Sequence, residues 1–304
     1  MHHYLYAVII LNFNTIADSI AAAKSVIENS IKKDFVICIA DNASTVKVNK
    51  DKLKSIDLMN TFTVQLDENH GYAAGNNAAI RYLKSFCDFD FVVIMNPDVM
   101  IIQTGTIEGI IDEVNSNPNS YVGGQPLTKT GGDEDIDARY QPNIRRNPSY
   151  IGIMVYSSSI LKRVFKKKYG KLIYEERMPY SDKCTFDVPS GAFFLINAKD
   201  FEIIGYFDED TFLYYEEYIL GMKIKNIGKQ FIFLPNFQVN HYHGKSTGGH
   251  GKIVSRKNNR YGMQALDVYL RKYLKVNSII SKLSISYLIF EYEICIFIKK
   301  VFNY

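Results

Sequence analysis

Phe91-Val92-Val93-Ile94-Met95-Asn96-Pro97-Asp98-Val99 is the stretch on which the reading of this chain turns. Its first five residues are continuously apolar and rich in β-branched side chains, which suits a strand buried on both faces, as in a parallel sheet. Proline cannot donate to a central ladder, so the strand ends at Asn96-Pro97-Asp98. Two oxygen-bearing side chains are thereby delivered to the carboxyl end of a buried strand, where open α/β sheets bind ligands. Hard oxygen ligands there suit Mg²⁺ or Mn²⁺, ions that complete their coordination with water and phosphate oxygens. Taken alone, the same residues also read as a turn that closes a core strand.

Upstream, residues 6–11 read as a first buried strand, followed by the loop Asn12-Phe13-Asn14-Thr15. Residues 16–29 follow as a helix with Ile16, Ile20, Ala23 and Ile27 on its apolar side. Residues 35–40 form a second buried strand ending in Asp41-Asn42-Ala43-Ser44. The unit is β-α-β, with a right-handed crossover. A short third strand covers Phe62 to Leu66. The glycine-bearing turn from Glu68 to Asn77 then feeds a helix from about Ala74 to Phe86. Alternating strands and helices argue for a parallel sheet. Asn14, Asp41, Asn69 and Asp98 all follow strand ends, and several such residues on one sheet edge form a default ligand site. The glycine pattern is neither G-x-G-x-x-G nor a Walker loop. Gly71 and Gly75 either let backbone approach a nucleotide or serve a turn and a close helix–strand contact.

Downstream, residues 104–117 read as a helix. Residues 119–150, with Gly-Gly twice, four acids from Asp133 to Asp137 and three prolines, read as a long, mobile loop, and 125–148 as a lid. Residues 150–168 read as helical, ending in the basic run Lys166 to Lys168. Pro189-Ser190-Gly191-Ala192 precedes an apolar strand from Phe193 to Ile196. Glu216 and Glu217 stand behind a run of aromatics. Partial burial there raises a carboxylate's pKa and improves it as a base, while both acids also suit the N-terminus of a helix from Tyr218 to Ile227. After a strand from Phe231 to Leu234, His241 and His243 fall in a Gly/Ser/Thr loop, and imidazole suits Mn²⁺ better than Mg²⁺. Residues 252–275 are basic and 276–304 apolar with scattered charge. That last segment completes the core, forms a homodimer face or lies on a membrane. Glu291 and Glu293 interrupt its apolar face.

The 304 residues suffice for one large domain or two small ones. Residues 1–250 read as one domain in two halves, 1–100 and 101–250, with 251–304 as a helical extension. A net charge of +4 does not call for nucleic acid as a partner. Four scattered cysteines form no metal knuckle or redox pair, and free thiols point to a reducing compartment. The N-terminus enters a strand without a cationic region or cleavage site, so no signal peptide is expected. No apolar stretch reaches the length of a membrane span.

The ordered set Asn-Phe-Asn-Thr, Asp-Asn-Ala-Ser, Asn-x-Gly-Tyr-Ala-x-Gly-Asn-Asn, Asn-Pro-Asp, Pro-Ser-Gly-Ala, Gly-Tyr-Phe-Asp-Glu, Tyr-Glu-Glu and His-x-x-x-x-Ser-Thr, from about residue 6 to 248, resembles glycosyltransferase family 2. Within it, the chain resembles the rhamnosyltransferase-like branch that builds bacterial surface polysaccharides. The resemblance implies a GT-A fold: a Rossmann-like, mostly parallel central sheet flanked by helices, here with the helical C-terminal extension. It implies a metal-dependent, inverting transfer from a UDP- or dTDP-sugar to a glycan or lipid-linked glycan in capsule, O-antigen or cell-wall synthesis. Asp41 then matches the acid that reads the base. Asn12, Asn14, Asn69, Gly71, Gly75, Asn76 and Asn96 accompany it on the nucleotide-sugar side, and Ser190, Gly191 and Ala192 stand on the acceptor side. Asn96 and Asp98 match the D-x-D metal motif, and His241 the histidine that helps hold the Mn²⁺ or Mg²⁺. Glu217 matches the catalytic base, with Glu216 as the alternative. The location implied is cytoplasmic, including the inner face of the plasma membrane.

The chain departs from the family's Glu-Asp/Glu-x-Asp-Leu-x-x-Arg after Glu217, where Tyr218, Ile219 and Leu220 follow and Lys223 takes the arginine's place. Lysine does not reproduce a forked guanidinium contact. A catalytically impaired scaffold of a polysaccharide assembly complex is the alternative this departure supports. A nucleotidyltransferase would need a basic, glycine-rich N-terminal phosphate loop, which Asn12-Phe13-Asn14-Thr15 is not.

Overall fold

A computed structural model describes residues 1–46, 53, 56–130, 139–141, 143–177, 180–242 and 254–302. Strand β1 (His2–Asn12), helix α1 (Ile16–Asn29), β2 (Phe35–Asp41), β3 (Thr61–Gln65), α2 (Gly71–Lys84) and β4 (Cys87–Met95) make up the first half. Parallel pairing joins β3, β2, β1 and β4 in that order, so their carboxyl ends share one edge of the sheet. Beyond β4 the sheet becomes mixed. Strand β9 (Phe193–Asn197) runs antiparallel to β4, and β6 (Tyr121–Thr130) antiparallel to β9. Strand β10 (Gln230–His241) then runs parallel to β6, with β5 (Val99–Ile101) antiparallel at its far end. Two short strands, β7 (Arg139–Gln141) and β8 (Cys184–Phe186), pair with β6 and β10.

Helices cover both faces, which explains the unbroken apolar strands. On one face Ile9, Cys38 and Ile94 meet Ala79, Ile80 and Leu83 of α2. On the other, Val8, Ile37 and Val93 meet Ala22 and Val26 of α1 and Ile110 and Val114 of α3 (Thr106–Ser116). Side chains alternate between the two layers because successive strand residues point to opposite faces. Cys38, Cys87 and Cys184 are buried free thiols and Cys295 is an exposed one.

The expected mobile loop over 119–150 is corrected by β6, a central strand paired on both sides. Its glycines serve close approach. A Cβ on Gly123 would lie 2.0 Å from the Leu195 carbonyl oxygen, and one on Gly124 would lie 2.6 Å from Ile110. Residues 125–130 of the expected lid belong to this strand, with Gln125 fully buried in the sheet; residues 131–138 and 142 lie outside the described residues. The expected helix over 150–168 is three short ones, α4 (Tyr150–Ser157), α5 (Ser159–Val164) and α6 (Lys166–Leu172). Two more helices, α7 (Ala198–Ile203) and α8 (Glu216–Asn226), flank the second half of the sheet.

The C-terminal segment packs against α4 and α8. Helix α9 (Arg256–Val268) runs into a π-turn at Tyr269–Tyr273, and α10 (Ser278–Phe302) follows as one helix. Leu266, Tyr269, Leu270 and Leu288 join Ile153, Tyr218 and Ile219 in a third apolar cluster. Glu291 faces inward, accepting hydrogen bonds from Ser158 Oγ (2.5 Å) and Ile160 N (2.9 Å) at the start of α5. Glu293 is half exposed and pairs with Arg256 (2.7 Å) beside the apolar outer face of α10. That face exposes Ile279, Leu283, Phe290, Ile294, Phe297 and Val301. Among the described residues no helix is long and apolar enough to cross a membrane.

Candidate active site

The Asn-Pro-Asp segment is both a turn and a site. Asn96 O accepts from Val99 N (3.1 Å), and Asn96 N donates to Ala192 O (2.8 Å), tying the end of β4 to the start of β9. Val99 then opens β5, whose register sets it opposite His241. Asp98 is consequently brought beside His241, with Oδ1 and Nε2 3.3 Å apart, and Tyr242 N donates to Asp98 O (2.8 Å). His241 is the last residue of β10, not a loop residue as expected from sequence; His243 lies outside the described residues. The physical reason is a register shift between Leu234 and Gln238, which lets β10 continue past Pro235.

Asp98 and His241 are nearly buried, and Asp98 Oδ1 receives no hydrogen bond among the described residues. An orphaned buried carboxylate oxygen beside an imidazole is a donor set with capacity for a cation. Mg²⁺ and Mn²⁺ are held by one or two protein groups with phosphate oxygens and water completing the shell, so Asp98, His241 and the neighbouring Asn96 fit such an ion. Among the described residues no cluster of three or more His, Cys, Asp or Glu forms a complete cage.

A cavity of about 470 Å³ is lined by Asn96, Pro97 and His241 and also by Glu216 and Glu217. They open α8 directly after Tyr214 and Tyr215, both left-handed at φ 75° and 64°. Such a conformation costs a non-glycine residue about 1–2 kcal/mol, so packing must hold it, and it turns the helix start toward the cavity. Glu217 Oε1 accepts from Gly191 N (3.1 Å). A Cβ on Gly191 would lie 2.3 Å from that oxygen, so a larger residue there would displace the carboxylate from this hydrogen bond. Glu216 is buried, and burial first, the Glu217 charge second, push its pKa up to about 8. Burial therefore favours the protonated form of Glu216, and Glu217 is the acid that Gly191 N orients as a candidate proton acceptor.

The motif residues knit this edge together. Tyr72 OH donates to Gly191 O (2.6 Å), and Tyr72 N donates to Phe212 O (2.8 Å). Gly71 needs its φ of +83°, and a Cβ there would lie 2.1 Å from Phe212 O. Asn42 Nδ2 donates to Asn69 Oδ1 (3.1 Å) and Gly71 O (3.0 Å). Ser190 N donates to the buried Gln125 Oε1 (2.7 Å). Asn69, Gly71, Asn96, Ser190, Gly191 and Ala192 line the same cavity as the two glutamates.

Other sequence candidates stand behind this wall. Asp41 is fully buried and accepts from Asn12 Nδ2 (2.5 Å), Ser44 N (3.0 Å), Gln65 Nε2 (2.6 Å) and the Ser44 hydroxyl. Asn12 is buried with it. Asn14, at φ 61°, accepts from Thr45 N (2.9 Å) and Val46 N (3.0 Å). Gly75 packs on Leu11, where a Cβ would lie 2.8 Å from Cδ1, and Asn76 Nδ2 donates to Tyr72 O (2.9 Å).

The glycosyl transferase family 2 model matches residues 7–205, about two thirds of the chain. The chain belongs to that family. It is 26% identical over 220 residues to N-acetylglucosaminyl-diphospho-decaprenol L-rhamnosyltransferase of Mycobacterium tuberculosis, covering 70% of this chain and 68% of the relative. It is 24% identical over 176 residues to the rhamnosyltransferase WbbL of Escherichia coli, covering 57% and 61%. The crystal structure of GalNAc-T7 with UDP, GalNAc and Mn²⁺ superposes with a TM-score of 0.61 at 16% identity, over 89% of this chain and 49% of that one. The fold is that of GT-A glycosyltransferases.

Lys223 turns away from the cavity and donates to the carbonyl oxygens of Tyr206 (2.5 Å) and Gly205 (3.3 Å), and burial lowers its pKa. It replaces no guanidinium at the site. Arg145, Tyr72, Asn42, Tyr214 and Lys257 also line the cavity and were not singled out from sequence. For Tyr72 and Asn42 the signal was present, because each adjoins a named motif residue; for Arg145 it was not.

Proposed function

We propose that this family 2 glycosyltransferase moves a sugar of the rhamnose class from a UDP- or dTDP-sugar to a hydroxyl of a glycan or lipid-linked glycan in surface polysaccharide synthesis, with inversion. The observation that carries the reading is that His241, 3.3 Å from Asp98, and Glu217 line one cavity. The rhamnosyltransferase relatives support the sugar class, and the UDP and Mn²⁺ of the GalNAc-T7 structure support the donor and cofactor type.

Asp98 and His241, with Asn96, would hold a divalent cation, which supplies charge neutralisation to the departing diphosphate. Glu217 takes the proton of the acceptor hydroxyl as that oxygen attacks the anomeric carbon from the face opposite the diphosphate. One carboxylate suffices for a single displacement, and Gly191 N orients it. Phe212 and Tyr261, stacked at 4.2 Å, and Tyr72 give the cavity apolar walls that help exclude water from a transfer that must not become hydrolysis. Asp41 and Asn12 shape the nucleotide end from behind, through the loop that carries Asn42. The exposed apolar face of α10 rests on the membrane that bears a lipid-linked acceptor.

Glu217→Gln tests the base. It should bind UDP with Mn²⁺ as the wild type does, while transfer from dTDP-rhamnose to N-acetylglucosaminyl decyl diphosphate falls about 10²–10⁴-fold, the usual worth of a general base. Transfer within about tenfold of wild type removes Glu217 from the role.

A further inference from the structure

Arg145 and Arg146 are adjacent, yet their guanidinium groups are used differently. Arg146 lies over the Tyr174 ring at 3.9 Å, pairs with Glu176 and donates to the Lys171 carbonyl. Arg145 has no carboxylate oxygen within 4.0 Å among the described residues. Its Cζ instead sits 5.9 Å from the Tyr156 ring and 5.4 Å from the Tyr218 ring. Its backbone is fixed, with Arg145 N donating to Val188 O (3.1 Å) and Val188 N to Arg145 O (2.9 Å). Burial works against the guanidinium charge, but Tyr156, Tyr218 and Glu217 around it hold the proton more firmly than usual.

Arg145 stands where two cavities meet. The first is the cavity of Asn96, His241 and Glu217. The second, about 560 Å³, lies between α4, α8, α9 and α10, with Tyr156, Tyr218, Met263, Leu288 and Tyr292 among its walls. Arg145, Tyr214, Glu217 and Asn258 line both. A held arginine with aromatic sides and no carboxylate partner suits a planar, two-point contact with an anion. Glu217 beside it means that an anion arriving by the second cavity needs this cation to offset carboxylate repulsion. The first cavity already has Asn96 and His241 in its walls, with Asp98 3.3 Å from His241. The second offers apolar walls beyond the arginine.

We propose that Arg145, walled by Tyr156 and Tyr218, is the subsite for the phosphate or diphosphate group of the acceptor, and that Met263, Leu288 and Tyr292 receive the first carbons of its lipid chain. The inference rests on the glycosyltransferase reading and specifies the acceptor: an amphiphile whose reacting hydroxyl reaches Glu217 while its phosphate, one sugar ring away, lies on Arg145. Lysine 223 need not replace the family arginine, because a guanidinium reaches the site from another element.

The probe is decyl diphosphate below its micellar concentration, with decyl maltoside as the uncharged control, measured by calorimetry with and without saturating UDP and Mn²⁺. Wild-type protein should bind decyl diphosphate with the donor site filled, and bind decyl maltoside far more weakly. Arg145→Gln should weaken decyl diphosphate about tenfold to hundredfold, the worth of a hydrogen bond to a charged group. Arg145→Lys should fall between the two, because it keeps the charge and loses the fork. UDP affinity should stay unchanged in both variants, which also reports that they fold. If Arg145→Gln instead lowers UDP affinity and leaves decyl diphosphate alone, Arg145 serves the donor and the inference is overturned. Equal wild-type affinity for decyl maltoside overturns it as well. Absence of UDP binding by the wild type counts against the donor reading, while the measurement without UDP still decides the role of Arg145.

Discussion

Glu216→Gln should remove a pH-dependent loss of stability that the wild-type protein carries. Glu216 is 3% exposed, and its Oε1 meets no donor among the described residues. Burial, and secondarily the Glu217 charge, raise its pKa from an ordinary 4.5 to about 8. A carboxyl group whose pKa is higher in the folded than in the unfolded state contributes stability that is fully present below the unfolded value. That stability is lost as pH rises through the folded value. The gap between 4.5 and about 8 corresponds to about 5 kcal/mol at most. Glutamine is neutral throughout and close in shape, so the variant lacks this titration. Urea unfolding of both proteins from about pH 5 to about pH 9 measures the effect, since the difference between them isolates the titration of Glu216 together with that of Glu217 coupled to it. The wild type should lose about 3–5 kcal/mol relative to the variant across that range. A difference that stays constant within about 1 kcal/mol refutes the buried, neutral carboxyl and with it the division of labour between Glu216 and Glu217.

Asp98→Ala should abolish Mn²⁺-dependent binding of UDP, read by calorimetry with and without EDTA, and retention of about a tenth or more of wild-type turnover would sink the metal role. The outer face of α10 should carry the full-length protein upward with phosphatidylglycerol vesicles in flotation at low salt, and Phe290→Asp with Phe297→Asp should release it. If the wild type ignores the vesicles and the double variant instead turns a dimer into a monomer in sedimentation, the face is a subunit interface.

The parallel half of the sheet was legible because burial on both faces leaves a direct trace. Residues 6–11, 35–40 and 91–95 are runs of large and β-branched apolar side chains, and each lies inside an observed strand. Strand β6 left no such trace. Its Val122-Gly123-Gly124-Gln125-Pro126 core has low strand propensity by itself, and its glycines are there for contacts with Leu195 and Ile110 that only the folded chain supplies. Strand β10 was cut short for a related reason. Pro235 and Asn236 read as a stop, whereas the register shift at that point absorbs the proline and the strand resumes to His241.

The site was legible in proportion to how local its causes are. Asn96 and Asp98 follow from a single strand end, and Glu216 and Glu217 from a single helix start, so nine or ten neighbouring residues suffice to single them out. What makes them a site is non-local. The β5–β10 register brings His241 to Asp98, and the absent side chain at Gly191 makes room for Glu217, 26 positions along the chain. Arg145 lies furthest from any local signal. It sits between Ile144 and Arg146 in a proline-bearing stretch, and nothing in that sequence distinguishes the two arginines. Tertiary pairing does so. The bridge to Val188 directs one guanidinium toward Tyr218 and Glu217, while Tyr174 and Glu176 occupy the other. Lys223, where the sequence resemblance leads one to expect an arginine, holds the carbonyls of Gly205 and Tyr206. A change within α8 and a cation offered from outside it are therefore compatible with one another. This is why the altered helix does not by itself argue for an inert scaffold.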